Sequence, residues 1–179
     1  MDISTDHESR AAEIAKLFAA TFAASEGADE GALIGDLAQR LIAGTPARDL
    51  RVFTARDGGA VVGAIVFSRL TYAGDGRTVF MLAPVAVATD RQGQGIGQRL
   101  IASGLGALRR EGVDIAVTYG DPEFYRRVGF APVSEADMPA PQPLQQPQGW
   151  LAQSLTDAPL TALAGPVRCV PAFDDPVYW

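Results

Sequence analysis

In the first third of the chain, apolar positions return every three or four residues. Ile14, Leu17, Phe18 and Phe22 trace one such stripe and predict a helix from about Glu8 to Ala24. Thr5 followed by Glu8 has the capping-box form expected to open it. Leu33, Ile34, Leu37, Leu41 and Ile42 predict a second helix, with Asp29 as N-cap and Gly44 and Pro46 as its stop. Ahead of both, MDIS can supply a short strand.

The period then shortens. DLRVFTAR and AVVGAIVFSRLTY are rich in β-branched and aromatic residues, and Asp57-Gly58-Gly59 between them is a hairpin signal. A turn at Ala73-Gly74-Asp75-Gly76 leads into TVFMLAPVAV, so three strands form an antiparallel meander. Pro84 in the third has no N–H to give a ladder, which suits an edge strand or a bulge where neighbouring strands part.

Helical spacing resumes with Ile96, Leu100, Ile101, Leu105 and Leu108, ending at Arg109, Arg110 and Gly112. DIAVTYG reads as a buried strand. PEFYRRV reads as a short helix with Asp121 as N-cap and Pro122 in its first turn, and Gly129-Phe130 turns the chain into a further strand. From Met138 to Gly149 the chain offers no core-forming residues, with a Pro-rich connector near 139–148. WLAQSL predicts a last strand, and the irregular tail that follows packs back on the molecule. No repeat is visible, and residues 1–179 read as one domain.

Composition narrows the chemistry. With 47% apolar residues, the 179-residue chain can bury a core, and no run is long enough to span a bilayer. The polar start MDISTDHESR is unlike a targeting segment. Cys169 is the only cysteine, which points to a reducing cytoplasm and a small buried side chain. His7 is the only histidine, which disfavours Ser–His and Cys–His hydrolysis and His-based zinc sites. A net charge of −6 argues against nucleic acid and tolerates a cationic amine.

Candidate chemistry centres on Gly93, Gly95 and Gly97, where a loop becomes a helix. The first turn of a helix leaves its amides without internal acceptors, and the dipole adds partial positive charge there. Absent side chains let a phosphate approach the backbone. A P-loop needs Lys-Ser or Lys-Thr, and the chain has neither. A dinucleotide fingerprint would place its third glycine at Gln98, and ATDRQ separates strand from glycines, although Asp121 stands where a ribose-binding acid would. The remaining register is QxxGxG, from Gln92 to Gly97.

In that register LAPVAVATDRQGQGIGQRL resembles the acyl-CoA-binding motif of the GNAT superfamily of N-acetyltransferases. GDPEFYRRVGF resembles the FYxxxGF element that follows the next strand in that family. Both stand in the family's order, and the helices and meander before them also match. GDPEFY, the Pro-rich connector and the GPVRCVPAF tail are most similar to the YhbS-like branch. The resemblance covers essentially the whole chain and is strongest from Leu82 to Val133.

The resemblance implies a mixed α/β (α+β) fold, with a mostly antiparallel central sheet, splayed central strands and helices on both faces. It implies direct transfer of an acetyl group from acetyl-CoA to a primary amine of a small molecule or peptide N-terminus, without metal. The amides of Gln92, Gly93, Gln94, Gly95, Ile96, Gly97 and Gln98 would hold the pyrophosphate. Main-chain groups of Val85, Ala86 and Val87 would meet the pantetheine arm. The Val85 amide would polarise the thioester carbonyl, a contact worth ~3–4 kcal/mol when well placed. Tyr125 would protonate the departing thiolate, with Phe124 and Phe130 as packing, and Arg91, Arg99 and Arg126 are candidates for the CoA phosphates. Many relatives carry a base on the thioester-binding strand, but FMLAPVAV has nothing ionisable. Glu26, Asp29 and Glu30, between the first two helices, are alternatives, as is a water chain to bulk solvent. The missing strand base keeps a non-catalytic acyl-CoA sensor or interaction module in view. The apolar tail is compatible with a homodimer.

Overall fold

Each change of period in the sequence becomes a change of element in the structure, a computed structural model that describes residues 1–179. The strands are β1 (Asp2–Ser4), β2 (Leu50–Asp57), β3 (Ala60–Tyr72), β4 (Val79–Val87), β5 (Ile115–Tyr119), β6 (Ala131–Pro132), β7 (Trp150–Ser154) and β8 (Val167–Arg168). The α-helices are α1 (Ala11–Glu26), α2 (Ala28–Gly44), α3 (Ile96–Arg110) and α4 (Pro122–Arg126). The fold is mixed α/β with a mostly antiparallel sheet in which β4 and β5 pair in parallel. Contacts group the chain into two units, Met1–Phe67 with Pro84–Gly104, and Ser68–Ala83 with Leu105–Trp179.

In the first unit both opening helices begin differently from expectation. The Thr5–Glu8 capping box does not form. Ser9 donates to the Asp6 carboxylate instead, Glu8–Arg10 make a 3-10 turn, and α1 starts at Ala11. Glu13, not Glu8, holds the end of α1, accepting from the Val61 amide at 2.8 Å and pairing with Arg10. Asp29 is likewise not the N-cap of α2. Gly27 takes that place at φ +103°, a backbone state that favours glycine, and turns α1 directly into α2. The helices then approach closely. A Cβ on Gly31 would lie 2.5 Å from the Ala19 carbonyl oxygen, and one on Gly35 would lie 2.8 Å from Ala19 Cβ. The small residues at these positions are therefore as much a part of the packing face as Ile34, Leu37 and Leu41, which are buried.

The β2–β3 hairpin closes through Gly58 and Gly59, both at positive φ, the type I′ requirement that their sequence signals. β1 adds antiparallel to β2 from Asp2↔Arg56 to Ser4↔Thr54. Phe53 and Phe67 meet edge-to-face at 6.1 Å. Two glycines let α3 lie low against the sheet, Gly104 on the helix and Gly63 on β3. A Cβ on Gly104 would fall 2.5 Å from Phe67 Cε2, and one on Gly63 would fall 2.9 Å from Leu100 Cδ1.

In the second unit β4 and β5 run parallel from Val79↔Ile115 to Leu82↔Thr118. β7 pairs antiparallel with β5 and β6 in turn, so WLAQS is inserted between two strands rather than lying at the end of the series. Helix α3 stops at Gly112 (φ +80°), where the Val113 amide donates back to the Leu108 carbonyl in a Schellman closure.

The 138–149 stretch departs from expectation. Met138 is fully buried, its carbonyl accepts from Trp150 Nε1 at 2.8 Å, and the Pro139 carbonyl accepts from the Tyr72 hydroxyl at 2.8 Å. Proline removes donors but leaves carbonyls, so a Pro-rich segment can still be tied down as an acceptor. The tail packs as expected. β8 pairs with β3, Phe173 and Trp179 are buried, and Trp179 Nε1 donates to the Phe173 carbonyl. Of the tail's apolar residues, Val177 stays 50% exposed. No helix is long and apolar enough to cross a membrane.

Candidate active site

The end of β4 and the start of α3 belong to the first unit. Ala86 is buried, and Val85 and Val87 are half-buried beside it. The Ala88 amide donates to the Val62 carbonyl at 2.9 Å, which anchors the strand end to β3. The Val87 carbonyl already has partners, Gln92 Nε2 at 3.1 Å and Thr21 Oγ1 at 3.5 Å. Gln92 thus has a side-chain task that the motif alone does not reveal. It ties the loop to the strand from which the loop departs.

Beyond this tie the loop is held mostly by its ends. The Arg91 amide donates to the Ala88 carbonyl, and the first amide of α3 to find a helical partner is Arg99, which donates to Gly95. Ile96, Gly97 and Gln98 precede it and are the orphan donors of a helix start. Gly93 and Gly95 adopt φ +73° and +72°, and nothing lies within 4 Å of a Cβ built on either. These two glycines are needed for backbone shape, and the space beside them is open. Gly63 belongs to the same assembly and escaped the sequence reading, since it lets Ile96 and Leu100 at the head of α3 settle against β3.

Tyr125 belongs to the second unit. Asp121 accepts from the Glu123 amide at 2.9 Å and caps α4 as predicted, a structural task that accounts for its place in the sequence. Tyr125 is buried between Phe124 and Phe130, with edge-to-face centroid distances of 5.1 and 5.8 Å. On its other side is Gly120, where a Cβ would fall 2.8 Å from Tyr125 Cε2. Burial raises the Tyr125 phenol above its ordinary pKa, the Thr118 hydroxyl opposes the rise, and the Asp121 carboxylate adds to it. The phenol therefore keeps its proton at neutral pH. Thr118 and Gly120 are the residues here that sequence reading missed. TYG in DIAVTYG was their only signal, and it has no meaning until α4 folds back beside β5.

The two sets are joined along the chain by β4. Its ladder with β5 ends at Leu82↔Thr118, and the strand continues through Ala83 and Pro84 to Val87 and then the glycine loop. Pro84 lies two residues past the last rung.

The charged candidates have other partners. Arg91 binds Asp57 at 2.7 Å, Arg126 binds Glu123 at 2.9 Å, and Arg99 reaches the Gln94 carbonyl at 3.4 Å. Glu26 and Asp29 are exposed and Glu30 is half-buried. Burial and the nearby Asp174 push the Cys169 thiol up to about 11, so it is protonated and a poor nucleophile at neutral pH. No group of three or more His, Cys, Asp or Glu side chains is placed to hold a metal ion.

Comparison with known proteins addresses the same region. The acetyltransferase (GNAT) domain family matches residues 48–132. An uncharacterized N-acetyltransferase of Escherichia coli K12, YjhQ, is 38% identical over 139 residues, 75% of this chain and 76% of the relative. A GNAT family acetyltransferase from Brucella melitensis, solved in complex with acetyl-CoA, superposes with a TM-score of 0.74 at 29% identity, covering 97% of each chain. The E. coli YhbS structure in complex with CoA gives a TM-score of 0.77 at 26% identity, covering 97% of this chain and 92% of its own.

Proposed function

The chain belongs to the GNAT family of N-acetyltransferases, and from that premise we propose that residues 1–179 act as one acyltransferase domain whose site is built from β4, the glycine loop and Tyr125. The protein moves an acetyl group from acetyl-CoA to a primary amine. The backbone amides of Gln92–Gln98 hold the pyrophosphate, and the open space beside Gly93 and Gly95 is what such a group requires. Main-chain groups of Val85 and Ala86, with the Val87 amide, take the pantetheine arm as a substitute strand, because the Val87 carbonyl is already engaged. The observation that carries this reading is the end of the β4–β5 ladder at Leu82↔Thr118, short of Val85 on a strand that leads straight into the loop.

The chemistry then divides simply. The neutral amine forms a bond to the acetyl carbon while the C–S bond breaks, with no covalent enzyme intermediate. The Val85 N–H meets the charge that develops on the carbonyl oxygen in this reading. Tyr125, neutral and buried, gives its proton to the departing thiolate sulfur. The proton lost by the amine passes to solvent, since β4 carries no ionisable residue. Holding both reactants together supplies much of the rate.

The acceptor is a small amine or a peptide N-terminus, in keeping with a net charge of −6, and the compartment is the cytoplasm. The experiment is an acetyl-CoA titration followed by a thiol-release assay over a panel of polyamines, amino acids, aminoglycosides and peptides. Release with at least one amine supports transfer. Saturable binding with no release above hydrolysis for any amine supports an acyl-CoA-binding module instead.

A further inference from the structure

Gln153 lies on β7, where it pairs with Ala116 of β5 while its neighbour Ala152 pairs with Ala131 of β6. It is only 8% exposed, so its amide must find partners inside the protein. It has one at each end. Oε1 accepts from Arg109 Nη2 in the last turn of α3 at 3.1 Å, and Nε2 donates to the Val128 carbonyl just past α4 at 3.0 Å. A guanidinium can only donate and a carbonyl can only accept, so the two partners fix which way round the amide sits. Gly129 lies against the same group. Its φ is +94°, and a Cβ there would fall 3.2 Å from Gln153 Oε1.

Val128 and Gly129 form the turn that closes the helix bearing Tyr125. The Phe130 amide donates to the Tyr125 carbonyl at 3.2 Å and the Gly129 amide to the Arg126 carbonyl at 3.1 Å, a Schellman closure with Gly129 in the left-handed place. The Val128 amide adds a second bond to the Tyr125 carbonyl at 3.1 Å. A helix end leaves its last carbonyls without internal donors. The closure serves those of Tyr125 and Arg126, and that of Val128 takes its donor from Gln153. The same turn delivers Phe130, whose ring meets Tyr125 edge-to-face at 5.8 Å. With five residues, α4 is too short to be stable by itself and depends on such ties. We propose that Gln153, oriented by Arg109, is a positioning residue for the acetyl transfer. It holds the closing turn of α4 to β7, and through that turn it sets where the Tyr125 phenol stands.

This inference rests on Tyr125 acting as the proton donor, and the test separates the two. Gln153→Met keeps the length of the side chain and removes both bonds. Gln153→Glu keeps the acceptor for Arg109 but turns a second oxygen toward the Val128 carbonyl. Each is expected to lower kcat roughly tenfold, the scale of a small misplacement of a reacting group, with KM for acetyl-CoA within about twofold of the parent. Arg109→Met leaves the bond to Val128 in place and should cost only about threefold in kcat. Combined with Tyr125→Phe, Gln153→Met should cost nothing more, because the proton it positions is gone. An equal loss in both backgrounds, or parent-level kcat in both Gln153 variants, would overturn the role of Gln153 while leaving Tyr125 in place. A larger loss in Arg109→Met than in Gln153→Met would do the same. Full turnover in Tyr125→Phe alone would overturn both readings. Should Gln153→Met fail to fold, Gln153→Glu, which retains its bond to Arg109, enters the same cycle and is judged by the same non-additivity.

Discussion

The glycine loop and the surroundings of Tyr125 solve opposite problems. Around Gly93 and Gly95 the protein offers backbone and leaves space, with no atom within 4 Å of a built Cβ. Around Tyr125 it offers one side chain and leaves none, with rings at 5.1 and 5.8 Å and Gly120 pressed against the phenol edge. The first arrangement suits an extended anion that must enter and leave. The second suits a proton donor whose position and protonation must not vary. Damage to the loop should therefore appear in cofactor affinity, and damage around Tyr125 in turnover.

The largest expected effect tests the second half. Tyr125→Phe should lower kcat on the order of 100-fold, the usual scale for losing a general acid, with acetyl-CoA affinity measured by titration little changed. Equal losses in both quantities would erase the distinction. Gly120→Ala follows, because its methyl would fall 2.8 Å from the phenol ring. Displacing the hydroxyl by a fraction of an ångström should cost roughly tenfold in kcat, read under saturating acetyl-CoA.

Gly95→Ala probes the other half. The added methyl meets open space, but the +72° φ is unfavourable for it. A penalty of about 1 kcal/mol on the loop should raise KM for acetyl-CoA roughly fivefold and leave kcat near the parent value. A fall in kcat without a change in KM would place the loop in the chemistry and undo the contrast.

The pH profile sharpens it further. In the proposed role Tyr125 acts in its protonated form, and its pKa is raised above the usual 10, so it keeps its proton throughout neutral and mildly alkaline pH. An alkaline limb near pH 8 that survives in Tyr125→Phe belongs to another group, whereas one lost in that variant would contradict the assignment. The smallest effect lies away from both regions. Asp75 binds Arg77 at 2.7 Å, and hydrogen bonds from Arg77 hold its carboxyl far below the ordinary range. A depressed folded-state pKa gives stability that is present above the unfolded value, near 4, and fades as pH falls through the folded one. Asp75→Asn should thus lower stability by about 1 kcal/mol at pH 7 and progressively less below pH 4, with kcat and KM unaffected.

Much of this was legible in the residues. β3 begins and ends where AVVGAIVFSRLTY does, Gly58-Gly59 closes its hairpin with two positive φ angles, and Asp121 caps α4. Period, turn chemistry and capping are local, so neighbours in sequence settle them. The glycine loop was legible for the same reason, because a helix start carries its own anion-binding groups. The misreadings have a common cause. Asp29 and the Thr5–Glu8 pair have good local credentials, but Gly27 and Glu13 took those places because α2 had to double back on α1 and α1 had to meet Val61. Met138 sits in a segment with no periodic signal and is buried because Trp150 and Tyr72 reach back to it and its neighbour.

By itself, the order of residues determined the elements, the phosphate-type loop and the family of the chain. Only the tertiary structure decided that the β4–β5 ladder ends at Leu82↔Thr118, that Gln92 ties its loop to Val87, and that Tyr125 lies between two phenylalanine rings and Gly120. Those facts depend on contacts between residues distant in the chain. A glycine at the end of a strand and a phenol in a short helix carry no mark in sequence that they will meet, and packing alone brings them together.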